Sequence, residues 1–153
     1  MKIGKITILL FIVLFCITAA CATESGKTEG GAEMKIRINI TADSGNHTLT
    51  ASLADNSSAR AFAELLSKGA VSVNMHDYGN FEKVGQLPES LPRNDTSITT
   101  EPGDIILYQG NQITIYYDTN SWSFTRLGKV EGLSPSQLRK ILGKGNVTAV
   151  FEL

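Results

Sequence analysis

Cysteine is nearly absent from this chain, which holds only Cys16 and Cys21. Cys16 sits in an apolar N-terminal run that reads as a removable leader. An intramolecular disulfide is therefore excluded from the mature protein. Histidine is as scarce. His47 and His76 lack the paired spacing of a metal site, so no metal is expected, even with Asp77 and Glu82 near His76. Basic residues form no stripe, and 14 Lys and Arg against 15 Asp and Glu give a net charge of −1. A nucleic-acid partner is excluded on that balance. No G-x-S-x-G turn and no glycine-rich phosphate loop opens a helix, so neither a nucleophile motif nor a nucleotide cofactor is expected. No cofactor of any kind is implied, and no repeat appears at solenoid spacing.

The N-terminus is what stands out. Lys2 and Lys5 make a positive start, Ile6–Ile17 is a short apolar run, and Thr18-Ala19-Ala20 supplies small residues before Cys21. The run is too short for a membrane span and has the layout of an export signal. The pattern resembles a prokaryotic lipoprotein signal, with Thr18 where a larger aliphatic residue is usual. The expectation is a signal peptide over 1–20, with lipidation of Cys21 anchoring an extracytoplasmic protein to a membrane. Plain secretion is the alternative. Several acyl chains anchor firmly where one anchors weakly. Residues 21–32 then read as a flexible tether, because Ala22–Ala32 is rich in Gly, Ser, Thr and Glu with no apolar period. Without Lys2 and Lys5 the chain carries 12 basic and 15 acidic residues, a net of −3.

The folded domain is expected over 33–153. Met34, Ile36, Ile38 and Ile40 alternate with polar residues, and after a turn at Asp43–Asn46 the segment Thr48–Leu53 returns as a second strand. Asp55–Ser58 offers helix N-caps, and the pattern Ala59, Phe62, Ala63, Leu66 predicts a helix to Lys68 that stops at Gly69. Val71, Val73 and Met75 alternate as a strand. Pro88 and Pro92 leave no room for a central strand, and Arg93–Glu101 reads as polar loop. Ser134-Pro135-Ser136-Gln137 is a helix start with a capping box, and Val147–Leu153 alternates as the last strand.

Gly103–Val130 carries the densest strand signal. Asp104–Gln109 and Gln112–Tyr117 flank Gly110-Asn111, which predicts a two-residue hairpin turn. That register sets Tyr108 opposite Ile113, Ile106 opposite Ile115 and Asp104 opposite Tyr117. Both faces are apolar, so the hairpin is expected at the centre of a sheet or closed barrel. About eight strands and two short helices imply a mainly β, closed barrel.

Two groups are candidate ligand-binding residues. The first is Tyr78, Asn80, Glu82 and Lys83, set against a reading in which Glu82 and Lys83 are solvated and Tyr78 packs on the barrel rim. The second is Trp122 in a loop, with Arg126, since aromatic residues and Arg anchor partners. Arg126 has Glu82 and Asp104 as possible ion-pair partners. The Leu87–Leu91 loop is expected to complete the contact surface. Five sequons begin at Asn39, Asn46, Asn56, Asn94 and Asn146.

Tyr78-Gly79-Asn80…Glu82-Lys83, Leu87-Pro88…Leu91-Pro92, Gly103-Asp104 and Thr125-Arg126-Leu127-Gly128 together resemble the cyclophilin-like domain proteins of prokaryotes. The resemblance spans Glu33–Leu153. It implies an eight-stranded cyclophilin-like β-barrel with helices at its ends, and no established reaction. The Phe-His-Arg strand motif and the Gln-Gly-Gly-Asp segment of true cyclophilins are missing, and Val71–His76 contains no arginine. No catalytic residue is carried over. The expected role is a non-catalytic binding or accessory module for an exported protein or a small molecule. The alternative is a degenerate peptidyl-prolyl isomerase or chaperone acting on exported proteins.

Overall fold

The structure, a computed structural model, describes residues 33–153. The leader, the tether and Cys21 lie outside the described residues. The first strand, β1 (Lys35–Ala42), buries Ile36, Ile38 and Ile40 and turns Lys35 and Arg37 to water, as its alternation requires. It pairs antiparallel with β2 (Gly45–Leu53). Helix α1 (Ser57–Ser67) follows. Its N-cap is Asn56, whose side chain accepts from the Ala59 N–H, and its buried face is Ala59, Phe62, Ala63, Leu65 and Leu66.

Seven further strands and a second helix complete the domain. They are β3 (Val71–Tyr78), β4 (Glu82–Gln86), β5 (Thr96–Thr99), β6 (Asp104–Tyr108), β7 (Gln112–Tyr116), β8 (Ser121–Val130), α2 (Pro135–Leu142) and β9 (Val147–Glu152). The sheet runs β2-β1-β9-β3-β4-β7-β6-β8, and β2 also pairs with β8, which closes an eight-stranded antiparallel barrel. Closure leaves no open edge within the ring. α1 sets Phe62 against Phe151, near the end of β9, at a ring separation of 5.7 Å. α2 leads into the start of β9 and inserts Leu138 and Leu142 into the same core. Ser134 and Gln137 form the capping box that starts α2.

The hairpin register differs from the expected one by a residue. Tyr108 pairs with Gln112, Leu107 with Ile113, Ile106 with Thr114 and Ile105 with Ile115. The cause is Gln109, which takes a left-handed φ of 53°, followed by Gly110 at 83°, so the turn spans Gln109, Gly110 and Asn111. A one-residue slip exchanges cross-strand partners and faces. Ile105, Leu107, Ile113, Ile115 and Tyr117 therefore share the barrel interior, while Ile106 and Tyr116 lie in a separate outer cluster.

Two further expectations are corrected. Arg93–Glu101 is not all loop, because it contains β5. Trp122 lies on β8, not in a loop, and pairs with Ile98 of β5. β4 is a full barrel strand between β3 and β7, although Glu82-Lys83 lacks the apolar alternation of a strand. β5 stands outside the closed ring. It pairs with the first half of β8, forming a two-stranded ribbon whose Ile98 and Phe124 pack onto the outer wall beside Ile106, Tyr116, Tyr108 and Phe81.

Candidate functional site

Glu82 and Lys83 are both buried, at 8% and 0% exposure, so the solvated reading of this pair is overturned. Strand alternation sends them to opposite faces of β4. Lys83 is opposite Ile115 and points into the barrel. Its Nζ donates to Asp77 Oδ1 at 2.8 Å and to the Gly145 carbonyl at 2.8 Å, and lies 5.6 Å from the Tyr117 ring centre. The Tyr117 hydroxyl donates to the same Asp77 oxygen. Burial works to raise the Asp77 carboxyl, but Lys83 and Tyr117 outweigh it and hold it below its ordinary value. Burial, with the Asp77 charge, pushes the Tyr117 phenol well up.

Glu82 faces outward. Tyr78, Glu82 and Tyr116 form one row across β3, β4 and β7. Val84, Thr114 and Ile106 form the next. Phe81 stacks on Tyr116 at 6.0 Å with 14° between the planes, and Tyr78 meets Phe81 edge-on at 5.8 Å. Phe124 tilts against Tyr116 at 5.9 Å, and Tyr108 meets Phe124 edge-on at 6.2 Å. A carboxyl and a hydroxyl thus share this wall with a chain of five rings. Glu82 Oε2 and Thr114 Oγ1 are sealed from solvent and have no hydrogen-bond partner in well-formed geometry. Burial raises the Glu82 carboxyl above its ordinary value, an effect only partly offset by the nearby Tyr116 and Thr114 groups. Burial and the Glu82 carboxyl push the Tyr116 phenol strongly up in turn.

The other candidates take distinct places. Tyr78 is 59% exposed and Trp122 64% exposed, the two large aromatic side chains most open to solvent. Alternation along β8 puts Trp122 on the same ribbon face as Phe124. A groove of ≈ 480 Å³ beside Trp122 is lined by Ser97, Ile98, Thr99, Ser121 and Ser123. Asn80 sits in the β3–β4 turn with a φ of 60° and is exposed. Arg126 pairs with Asp104 at 2.9 Å, which settles its partner in favour of Asp104 over Glu82. Leu87 and Leu91 are buried in the barrel core, so their loop offers only Pro88, Glu89 and Ser90 to solvent. Among the described residues no group of three His, Cys, Asp or Glu side chains could hold a metal ion. Of the five sequon asparagines, Asn39, Asn56 and Asn94 already use their amide nitrogens in hydrogen bonds.

Sequence reasoning missed Phe81, Thr114, Tyr116 and Phe124. The hairpin alternation carried the signal for Thr114 and Tyr116, but the slipped register assigned them the wrong cross-strand partners.

A closed antiparallel barrel of eight strands, with two helices and a ribbon folded over its outer wall, defines the class as a cyclophilin-like β-barrel. The Cyclophilin-like family matches residues 42–152, and the chain belongs to that family. Among solved structures it is similar to the solution structure of the hypothetical protein AF2241 from Archaeoglobus fulgidus. That likeness has a TM-score of 0.52 at 16% identity and covers 80% of this chain and 98% of that one. At this identity the likeness speaks for the fold alone. No curated protein matches the sequence.

Proposed function

We propose that this protein is an exported, lipid-anchored binding module of the cyclophilin-like class, engaging an exported polypeptide or a small molecule on the outer wall of its barrel. The observation that carries the reading is the Glu82–Thr114 pair. Two buried polar atoms without partners are costly in a finished core, and a ligand that hydrogen-bonds them removes the cost. The exposed rings of Tyr78 and Trp122 flank the same wall and add the aromatic contacts typical of recognition surfaces. The leader, with Lys2, Lys5, Ile6–Ile17 and Cys21, supports export and membrane attachment. No side chain here carries the arginine-centred set of a prolyl isomerase, and fold without site does not transfer chemistry.

The test has two arms. Protein purified from its own host, analysed by native mass spectrometry, is expected to retain a bound species that is lost in a Tyr78→Ala, Trp122→Ala double variant. Equal retention by wild type and variant removes this face from consideration. A protease-coupled prolyl-peptide assay on the full chain is expected to give only the background rate. A saturable rate overturns the non-catalytic reading in favour of an isomerase.

A further inference from the structure

Glu82 is an acid without a counter-ion. Its neighbour Lys83 is turned through the wall to Asp77, and Arg126 and Lys129 are held by Asp104. Among the described residues no lysine, arginine or histidine forms an ion pair with Glu82, yet the side chain is more than nine-tenths buried and one oxygen is free. A carboxylate in apolar surroundings is unfavourable until it is protonated or meets a cation. The surroundings favour a cation. Tyr116 is the cross-strand neighbour of Glu82, Phe81 stacks on it and Phe124 tilts against it, and aromatic faces attract cations through their quadrupoles. Thr114 Oγ1 is a second acceptor beside it. Asp77 adds a further negative charge at longer range, which opposes an anion here.

We propose that the Glu82 recess recognises the ammonium group of a ligand, a primary or methylated amine seated against the Glu82 carboxylate and the Phe81–Tyr116–Phe124 rings. The inference rests on the reading that this wall is a binding face and names the ligand chemistry that the wall accepts. Entry requires Phe81 to swing off Tyr116, because Glu82 Oε2 is sealed from solvent. Tyr78 meets Phe81 edge-on from the end of β3 and is the more exposed of the two. Glu82 supplies the charge, Thr114 a hydrogen-bond acceptor and the rings the desolvated walls. No covalent step is involved.

The probes are n-butylammonium chloride and its neutral counterpart 1-butanol, titrated into the isotopically labelled full chain in detergent solution at constant ionic strength. Amide NMR signals of Phe81, Glu82, Thr114 and Tyr116 are followed. The expected result is saturable shifts with n-butylammonium, binding about tenfold tighter than 1-butanol. Glu82→Gln, checked by its amide spectrum for an intact fold, is expected to lose that preference. The comparison of the two probes on wild-type protein needs no variant, so a failure of Glu82→Gln to fold leaves the test standing. Equal binding of 1-butanol, or no saturation with either probe, overturns the ammonium assignment. In that event, a species retained through Tyr78 and Trp122 in the mass-spectrometric test leaves the binding face in place and removes only its ligand class.

Discussion

Glu82 and Lys83 are adjacent in the chain and both buried, yet they stand on opposite sides of the barrel wall and in opposite electrostatic states. Lys83 is paired, with Asp77 and the Gly145 carbonyl each at 2.8 Å. Glu82 keeps an oxygen without a partner. One strand thus separates a finished structural ion pair from an unfinished polar recess. The two residues make separable predictions, one about stability and one about protonation.

Lys83→Met is expected to destabilise the domain. It removes the charge that offsets Asp77, whose side chain is 29% exposed and can recover some hydration. Breaking a buried pair from one side costs about 3–5 kcal/mol, and the partial exposure of Asp77 puts this case near 3 kcal/mol, the low end of that range. Adding Asp77→Asn is expected to recover part of the loss, because the uncompensated carboxylate is then gone. Urea unfolding of the two single variants and the double variant measures the coupling. Additive losses would show that the pair is not an energetic unit.

The helices and the core were legible in the sequence because each rests on local signals. Asn56 caps α1 and Gln137 closes the α2 box as the side-chain chemistry requires, and Ile36, Ile38, Ile40, Val71, Val73 and Met75 are buried as their alternation requires. The hairpin was legible as a hairpin but not in register. Gly110-Asn111 reads as a two-residue turn, and nothing local announces that Gln109 adopts a left-handed φ. The site was only half legible. Tyr78 and Glu82 do share a row, but Glu82-Lys83 reads as solvated because burial of both needs two covers. The barrel interior covers Lys83. Thr114, Tyr116 and Phe81, with the β5–β8 ribbon beyond them, enclose the other wall. The ribbon strand β5, Thr96–Thr99, has one apolar residue, Ile98, so no pattern marks it as a strand.

Gly128→Ala is expected to weaken barrel closure. Gly128 lies opposite Leu53 where β8 meets β2, and a Cβ there would overlap the Ser52 carbonyl oxygen, a backbone atom with little room to yield. Overpacking of this kind costs about 1–3 kcal/mol. Hydrogen exchange of the β2 and β8 amides is the measurement. Loss of protection is expected at Ala54 and Glu131, whose amides donate across the seam to the Leu127 and Thr50 carbonyls, before the β3–β4 amides respond. Uniform loss across the barrel would show that the seam is no weaker than the rest.

Cys21→Ser is expected to move the protein from the membrane fraction to the soluble fraction in its own host, with the folded domain unchanged by circular dichroism. An unmodified cysteine carries no anchor, while several acyl chains make attachment effectively stable. Fractionation followed by mass measurement of the N-terminal peptide reads the outcome. An acyl-free Cys21 in wild-type protein would reject lipid anchoring and leave secretion.

Glu82 also makes the stability of the fold depend on pH, with a sign opposite to that of an ordinary salt-bridged acid. Burial raises its carboxyl above the ordinary value of 4.5. Below 4.5 both folded and unfolded chains carry the proton, and Glu82 contributes no pH dependence. Above that value the unfolded chain ionises first while the folded chain still holds the proton. Stability therefore falls as pH rises from 4.5 through the folded value, at a slope of no more than about 1.4 kcal/mol per pH unit, and then levels. Asp77 acts on the other side. Its carboxyl is held below 3.8, so its contribution is present above 3.8 and is lost as pH falls through the folded value. Glu82→Gln removes only the first effect. Urea unfolding of wild type and Glu82→Gln at a series of pH values from about 4 to 8 isolates it, since the ordinary carboxylate range begins at the lower limit. The variant is expected to gain on wild type as pH rises through this window, with no change in the difference at the upper end. A difference independent of pH would show that Glu82 titrates as it does in water, and that its recess is open to solvent.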